Sequence, residues 1–304
     1  MRGSRRKGRV LDRGETLKGY LFVGPTLLGL LFFSYLPVLM SLFLSFTKWD
    51  MVSGFGNIRF LGLGNYAELL KDKVFIVSLT NNLLFGLITI PLLLIFGFIL
   101  AVLIDRYCFG KKIFKLVYFL PYISSIIAVA AVWRFLFYPS IGPVNEVLRS
   151  LGVMNPPKWL ADTHWALPSL AFMYIWQNMS YDMIIFLAGL QIVPRELYEA
   201  AEIDGANAVR RMRSITIPMI TPTLFFLLIA EIMASFRLFD QIQYLTEGGP
   251  GNSTSVLVYY LYKVSFKYYR FGYGYTISLV LFAIVFVITY FYWKGRNRWV
   301  HEAS

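Results

Sequence analysis

Long apolar runs separated by short polar segments dominate this chain. We place the runs at about 20–46, 74–104, 116–137, 165–190, 219–240 and 275–293. A transmembrane helix needs about 20 mostly apolar residues, and these runs have that length or come close to it. The pattern therefore predicts an all-α, polytopic membrane protein with six transmembrane helices and no soluble domain between them.

The polar segments between the runs differ in character. Residues 1–19 and 294–304 form basic tails, and 105–115 is a short basic turn. The loop after the third run contains a short predicted helix at about 143–151, flanked by prolines and glycines. The second run is longer than a span requires and contains Pro91. We therefore expect a tilted or kinked helix there, or first turns that lie outside the lipid.

Composition and charge agree with a lipid-embedded chain. Hydrophobic residues make up 57% of the chain and charged residues 15%, against about a quarter in soluble domains. The net charge of +12 could suggest a nucleic-acid partner in a soluble protein, but here it lies in short loops beside apolar runs. The side that holds both tails, 105–115 and 191–218 carries about twice as many Lys and Arg residues as the other side. The positive-inside rule then predicts that both termini and the 191–218 loop are cytoplasmic.

The residue types needed for several kinds of site are scarce. The single cysteine, Cys108, excludes an intrachain disulfide, and two histidines without a Cys/His cluster leave no zinc-type site. We therefore predict no metal and no cofactor. His164 lies in a loop and His301 in the tail, so the spans offer no catalytic cluster and a membrane-embedded enzyme is disfavoured. No segment fits the phosphate-binding pattern G-x-x-x-x-G-K-S/T, so ATP-driven work would need another chain.

The stretch from Pro194 to Pro222 interrupts the apolar pattern with charges. Pro194 suits the first turn of a helix, and the glutamates that follow it complement the helix dipole. Gly205 can end that helix in a left-handed conformation, and a second short helix can begin near Ala206. Pro218 then returns the chain to the membrane. On this pattern alone, a solvated linker between two spans explains the stretch equally well.

The spacing of residues within this stretch resembles a known signature. Glu199-Ala200-Ala201, followed by Gly205 and Ile215-Thr216-Ile217-Pro218, resembles the loop of membrane permease subunits of bacterial ATP-binding-cassette importers. Gly24-Pro25, Leu120-Pro121-Tyr122 and Leu245-Thr246-Glu247-Gly248-Gly249-Pro250 are similar to marks of the sugar-import branch, which includes maltose and glycerol-3-phosphate permeases. The resemblance covers about residues 17–295 and looks like the compact, six-span version of the family.

The resemblance implies a fold, partners and a coupling site. The implied fold is that of a type I importer permease, multi-pass in a bacterial cell membrane, with no enzymatic activity of its own. The implied partners are a homologous second permease subunit, two cytoplasmic ATPase subunits that hydrolyse ATP, and an extracytoplasmic solute-binding protein. The loop would be a coupling helix that docks on an ATPase subunit and passes movement to spans four and five. The implied coupling residues are Glu199, Ala200, Ala201, Asp204, Gly205 and Pro218.

Polar side chains inside the spans are the candidate substrate contacts, because such groups usually face the protein interior or water. Tyr174, Gln177, Asn178 and Tyr181 follow a spacing of three or four residues and share one helix face. Hydrogen bonding between helices is the alternative role for this face. Sugar contacts in the resembled family match Tyr122, this part of span four and the end of span five. The predicted substrate pathway is Tyr122, Tyr174, Gln177, Asn178, Tyr181, Arg237 and Asp240.

Some roles have more than one reading from the sequence. Arg237 and Asp240 could pair with each other instead of binding substrate. Glu231, in mid-span, could be a gate, a neutralised acid or the partner of a basic group on the other permease subunit. An oligosaccharide is the preferred substrate, with a monosaccharide, polyol, uronate or glycerol phosphate as alternatives. An ion-driven secondary transporter is less favoured, because the loop motif and the lack of inverted repeats argue against it.

Overall fold

The computed structural model of the protein describes residues 13–295. Residues 1–12 of the predicted N-terminal tail and most of the predicted tail 294–304 lie outside this range. Within it, fifteen α-helices and one two-stranded sheet follow one another along the chain. The structure therefore confirms the predicted all-α class, with the small sheet confined to the first loop.

The first predicted span is helical along its whole length. α1 covers Arg13–Leu30, a π-helical turn covers Leu31–Tyr35, and α2 covers Leu36–Ser45. Pro37 has no backbone N–H to donate to the turn before it, which accounts for the irregular turn at that point. Most side chains of this span are exposed, as expected of a helix that faces lipid, and α2 packs against the last helix of the chain.

The loop after α2 is compact. β1, Thr47–Lys48, pairs antiparallel with β2, Arg59–Phe60, and α3 covers Gly64–Leu69. The buried amide of Asn65 donates hydrogen bonds to the backbone oxygens of Ser45, at 2.8 Å, and Thr47, at 2.9 Å. These bonds fix the loop to the end of the first span.

The second predicted span is one long helix. α4 covers Lys73–Tyr107 and passes through Pro91 without a break. Its 35 residues extend about 52 Å at 1.5 Å per residue, well beyond the roughly 30 Å hydrocarbon core of a bilayer. The helix must therefore tilt or extend past the lipid, as the long apolar run predicts.

A half-buried carboxylate begins α4. Asp72 accepts hydrogen bonds from two backbone N–H groups of the first turn, at 2.8 and 3.2 Å, and from the hydroxyls of Tyr260 and Tyr273. Burial alone would raise the pKa of Asp72, but these four hydrogen bonds together hold that pKa below its ordinary value. The carboxylate thus ties the start of α4 to segments nearly 200 residues later in the chain.

The third predicted span, 116–137, differs from a single straight helix. α5 covers Lys111–Ile123, α6 covers Ile126–Leu136, and their axes meet at 89°. Pro121 lies in the last turn of α5, and Ser124 and Ser125 have extended ψ angles of 148° and 127°. The apolar run hides this break because its side chains stay hydrophobic on both sides of it.

The second half of the chain begins with the predicted short helix, which the structure confirms as α7, Pro143–Ser150. The segments that follow are α8, Ala166–Ile192; α9, Arg195–Ile203; α10, Ala208–Arg211; α11, Ile217–Met219; and α12, Thr221–Ser235. The last three are α13, Asp240–Leu245; α14, Leu257–Tyr262; and α15, Phe271–Gly295. The predicted fifth span, 219–240, is therefore not one continuous helix. α12 ends at residue 235, and α13 begins at residue 240.

Close packing of α4 against α8 and α12 forms the centre of the molecule. A Cβ atom added at Gly97 of α4 would lie 2.6 Å from the Cβ of Asp182, and one added at Gly189 of α8 would lie 2.5 Å from the Oγ1 of Thr223. The buried Asn82 of α4 donates to the backbone oxygen of Ser235, at 3.1 Å, and accepts from a backbone N–H of α14, at 2.8 Å. Small residues and amides at such contacts are typical of helix packing in membranes.

The number of membrane-crossing helices stays a prediction. Four segments of residues 13–295 are long and apolar enough to cross: Lys18–Ser45, Lys73–Arg106, Thr221–Leu245 and Phe271–Gly295. The bent pair of α5 and α6 could supply a fifth. α8 has 27 residues, which is ample length, but its polar face keeps it outside this apolar set.

Candidate functional site: a polar cavity and a folded loop

The helix predicted after Pro194 exists and ends as the sequence indicates. Val193 follows α8 directly, Pro194 precedes α9, and α9 ends before Gly205, whose φ is +76°. The backbone N–H of Ala206 donates to the oxygen of Ala201 at 2.8 Å, and that of Gly205 donates to Glu202 at 3.0 Å. This pair of bonds is a Schellman motif, which requires a left-handed residue at the glycine position.

A second short helix completes the loop. It begins at Ala208, two residues after the predicted start, because the side chain of Asn207 caps it by accepting from the backbone N–H of Arg210 at 2.9 Å. Arg211 on this helix forms an ion pair with Glu202 on α9, with 3.0 Å between nitrogen and oxygen. The two helices are thereby held together as one unit.

The loop is anchored to the membrane helices. The hydroxyls of Tyr198 on α9 and the buried Thr216 are 2.9 Å apart, and Tyr198 packs on an apolar cluster that includes Phe186 and Val193 of the α8 end and Ile104 of the α4 end. A solvated linker would not bury these side chains. The loop is therefore attached to the ends of α4 and α8 by packing as well as by the chain itself.

The predicted coupling residues lie mainly on the outer surface of this unit. Glu199, Ala200, Asp204 and Gly205 are exposed, while Ala201 and Pro218 are half-buried. Two exposed apolar side chains flank Gly205, and neither was among the predicted coupling residues. Ile203 is 87% exposed and Val209 is 61% exposed. An exposed apolar pair beside acidic groups is the kind of surface that a protein partner covers. Their i−2 and i+4 placement around the glycine is the sequence signal that could have found them.

A polar cavity of about 370 Å³ opens between the break of α5 and α6, the middle of α8, and the break of α12 and α13. Six of the seven predicted pathway residues line it: Tyr122, Tyr174, Gln177, Asn178, Arg237 and Asp240. The seventh, Tyr181, does not line the cavity but stacks on Tyr122, with ring centroids 5.3 Å apart and an angle of 22° between the planes. Residues far apart in sequence thus meet in one site.

Amide groups connect the walls of the cavity. The Nε2 of Gln241 donates to the Oε1 of Gln177 at 3.3 Å, and the Nε2 of Gln177 makes a long contact, 3.5 Å, with the backbone oxygen of Pro121. The amide of Asn178 donates to the oxygen of Tyr174 in its own helix at 2.8 Å. Gln177 therefore bridges helices while it faces the cavity. Gln241, one residue past the fifth apolar run, also lines the cavity but was not among the predicted pathway residues.

Arg237 lies in the non-helical segment between α12 and α13, and Asp240 is the first residue of α13. Both residues line the cavity. Both are exposed, and among residues 13–295 no ion pair joins them. This conformation therefore does not contain the ion pair between Arg237 and Asp240 that the sequence offered as an alternative. One positive and one negative group remain available to a ligand.

Two buried carboxyl groups lie deeper, between α8 and α12. Asp182 is fully buried and Glu231 is 4% exposed, and each is a close electrostatic neighbour of the other. The two carboxyl groups lie within hydrogen-bonding reach of each other, which uses a proton on one of them, and within the described part of the chain no other group donates to either oxygen of Asp182 or to the Oε2 of Glu231. Burial closes Glu231 to other subunits in this conformation, so it cannot meet a basic group from a second permease here.

Comparison with known proteins decides the family. Residues 87–296 match the family described as "Binding-protein-dependent transport system inner membrane component". The chain belongs to this family. The matched range includes the folded loop and every residue that lines the polar cavity.

Several relatives of the family match the chain over nearly its full length. The probable ABC transporter permease protein PH1215 of Pyrococcus horikoshii is 36% identical, covering 91% of this chain and 96% of its own length. The lactose transport system permease protein LacF of Rhizobium radiobacter is 34% identical over 95% of this chain and 97% of its own. These relatives are transport permeases, which agrees with the prediction of a non-enzymatic role.

A solved structure confirms the fold of this family member. A bacterial ABC transporter involved in the import of the acidic polysaccharide alginate contains a chain that superposes with a TM-score of 0.82. That match covers 94% of this chain and 96% of the other, at 23% identity, so it speaks to fold alone. The same transporter type, solved in complex with a periplasmic protein bound to alginate pentasaccharide, gives a TM-score of 0.81. The predicted type I importer permease fold is thereby confirmed.

Proposed function

We propose that the chain is the permease subunit of an ATP-driven importer that moves a carbohydrate, by preference an oligosaccharide, across a bacterial cell membrane. Names of relatives support the carbohydrate class, since they include lactose, glycerol-3-phosphate and arabinooligosaccharide transport permeases. The single observation that carries the proposal is the polar cavity at the two helix breaks. The partners are a homologous second permease, two cytoplasmic ATPase subunits and an extracytoplasmic binding protein.

The chemistry of the cavity suits a sugar. Tyr122 and Tyr174 offer aromatic faces, and Gln177, Asn178 and Gln241 offer amide donors and acceptors. Sugar rings present apolar C–H faces together with hydroxyl groups, so both kinds of surface are used. Arg237 and Asp240 bring opposite charges, which cancel to a first approximation. A neutral oligosaccharide therefore fits better than a uronate or a glycerol phosphate.

One helix joins the cavity to the folded loop. Gln177 lies about 15 residues before the end of α8, which corresponds to about 22 Å along the helix axis. α9 follows after two residues and carries the proposed coupling residues Glu199, Ala200 and Ala201, and Asp204 and Gly205 lie directly after its last residue. Pro218 lies at the start of the return toward α12. Movement of the loop by an ATPase would therefore displace the cavity wall through α8, with α12 following.

Uptake measurements in vesicles test the substrate assignment. The complete transporter is reconstituted, and uptake of a labelled oligosaccharide that its binding protein retains is measured in Tyr122→Leu and Tyr118→Leu variants. Tyr118 is one turn away on α5 and equally exposed, but it does not line the cavity. Loss of an aromatic contact is worth about 1 kcal/mol, so Tyr122→Leu should lower uptake about fivefold while Tyr118→Leu leaves it unchanged.

Two results would count against the proposal. Equal uptake by both tyrosine variants would show that the cavity does not contact the sugar. Uptake that continues without ATP and stops when ion gradients are dissipated would favour the ion-driven alternative.

A further inference from the structure

A second cavity, of about 350 Å³, lies on the predicted cytoplasmic side, away from the polar cavity. The ends of α4 and α8 form one wall, and α9 and α10 form the other. Three arginines from three different helices line it: Arg106 on α4, Arg195 on α9 and Arg211 on α10. The proposed transport role uses none of them.

These arginines outweigh the acidic groups near them. Asp105 is the one carboxylate of the lining, and it lies 3.6 Å from the ammonium of Lys111. Arg211 uses one nitrogen on Glu202, but its Nε is buried with no hydrogen-bond partner among the described residues. A buried donor without an acceptor is costly, so the site is incomplete without a further group.

The other two guanidinium groups are also available. Arg106 lies over the ring of Tyr198, 5.8 Å from its centroid, and within residues 13–295 it forms no ion pair. Arg195 is exposed, and the described acids make no ion pair with it either. The lining therefore presents a net positive charge and planar donors that match the geometry of a phosphate group.

The position of the cavity favours a lipid as the source of the phosphate. The cavity wall includes Val102 and Leu190, apolar residues near the ends of two membrane helices. Ile192, beside it in sequence, is 78% exposed, and Leu103 is 45% exposed. Such a site offers charge to a headgroup and apolar surface to acyl chains, as basic pockets between membrane helices do. A free phosphate would use only the charged part.

We propose that Arg106, Arg195 and Arg211 bind the phosphate of an anionic phospholipid in the cytoplasmic leaflet. The bound phosphate would satisfy Arg211 and would connect the end of α4 to the folded loop. The lipid thus braces the loop against the membrane helices, so that the composition of the leaflet affects how firmly the loop is held.

Lipid binding to the purified permease complex tests this proposal. Native mass spectrometry would count phosphatidylglycerol retained from mixed micelles by the Arg106→Gln/Arg195→Gln double variant. The matched control is Arg213→Gln, which removes an exposed positive charge from the same loop without touching the cavity. At about fivefold per arginine, the double variant should bind about thirtyfold more weakly, and the control should bind like the parent.

Further arms separate the competing explanations. Arg106→Lys/Arg195→Lys keeps the charge but loses the planar fork, so intermediate binding is expected. Equal weakening by Arg213→Gln would show nonspecific attraction and overturn the proposal. Displacement of the lipid by inorganic phosphate at equal concentration would identify a free-phosphate site instead. Loss of the lipid whenever the ATPase subunit is bound would assign the cavity to that protein partner. Matching melting temperatures for all variants would show that misfolding does not cause the loss.

Discussion

Replacement of Gly205 by alanine isolates the contribution of the loop backbone to coupling. Gly205 has φ of +76°, and a Cβ atom placed there meets nothing within 4 Å. The cost of Gly205→Ala is therefore conformational and not steric, about 1–2 kcal/mol for a left-handed residue. That cost lowers the population of the observed loop geometry about five- to thirtyfold relative to competing ones. If docking needs this geometry, we expect the substrate-stimulated rate of ATP hydrolysis to decrease by the same factor, about five- to thirtyfold.

A second glycine provides a matched control. Gly110, in the turn between α4 and α5, has φ of +74°, and a Cβ atom added there would also meet nothing within 4 Å. Gly110→Ala therefore has the same backbone cost on the same predicted side of the membrane, outside the folded loop. Gly205→Asn is the complementary variant, because asparagine tolerates the left-handed region better than alanine.

The assay is ATP hydrolysis by the reconstituted transporter, with and without its loaded binding protein. Stimulation should be reduced in Gly205→Ala, largely restored in Gly205→Asn and unaffected in Gly110→Ala. Equal losses in both alanine variants would show a general stability effect. Full stimulation in Gly205→Ala would refute the coupling assignment of the loop.

Three further predictions concern stability in detergent, measured as thermal unfolding. Asp72→Asn should lower the thermal stability at pH 7, because the ionised form of Asp72 supplies the stabilisation. The pKa of Asp72 lies below its ordinary value of 3.8, so the difference in stability between the variant and the parent should shrink as the pH falls below 3.8. Gly97→Ala should cost about 1–3 kcal/mol, since the new Cβ would lie 2.6 Å from the Cβ of Asp182, whereas Gly86→Ala, with its nearest atom at 3.4 Å, should be nearly neutral. Asn82→Leu should cost about 1–3 kcal/mol, because a buried backbone N–H of α14 loses its acceptor.

Local signals in the sequence predicted local structure well. The short helix expected at 143–151 is observed at Pro143–Ser150, and Gly205 ends α9 in the expected left-handed conformation. Both features depend on a few neighbouring residues whose backbone preferences are strong. The start of the second loop helix was displaced by two residues because the capping amide of Asn207 decides it.

Features that depend on tertiary contacts were not available from the sequence. The burial of Asp182 against Glu231, and the hydrogen bonds of Asp72 to two distant tyrosines, join residues about 50 and 190–200 positions apart. Periodicity places each of these residues on a helix face or at a helix end, but it cannot say which other helix lies opposite.

The two helix breaks were also missed, and their position explains why. A backbone break exposes unpaired N–H and C=O groups, which lipid cannot satisfy, so such breaks occur where they line a cavity or are buried in protein. Both breaks here border the same cavity, and the amide of Gln177 reaches toward the backbone oxygen of Pro121 at one of them. Hydropathy reads each apolar run as continuous because only a few polar side chains, Ser124 and Ser125 at one break and Arg237 at the other, stand among apolar neighbours. The two helix breaks therefore mark the place where a polar ligand would find exposed backbone groups. Tyr122 and Arg237 line the same cavity beside these breaks.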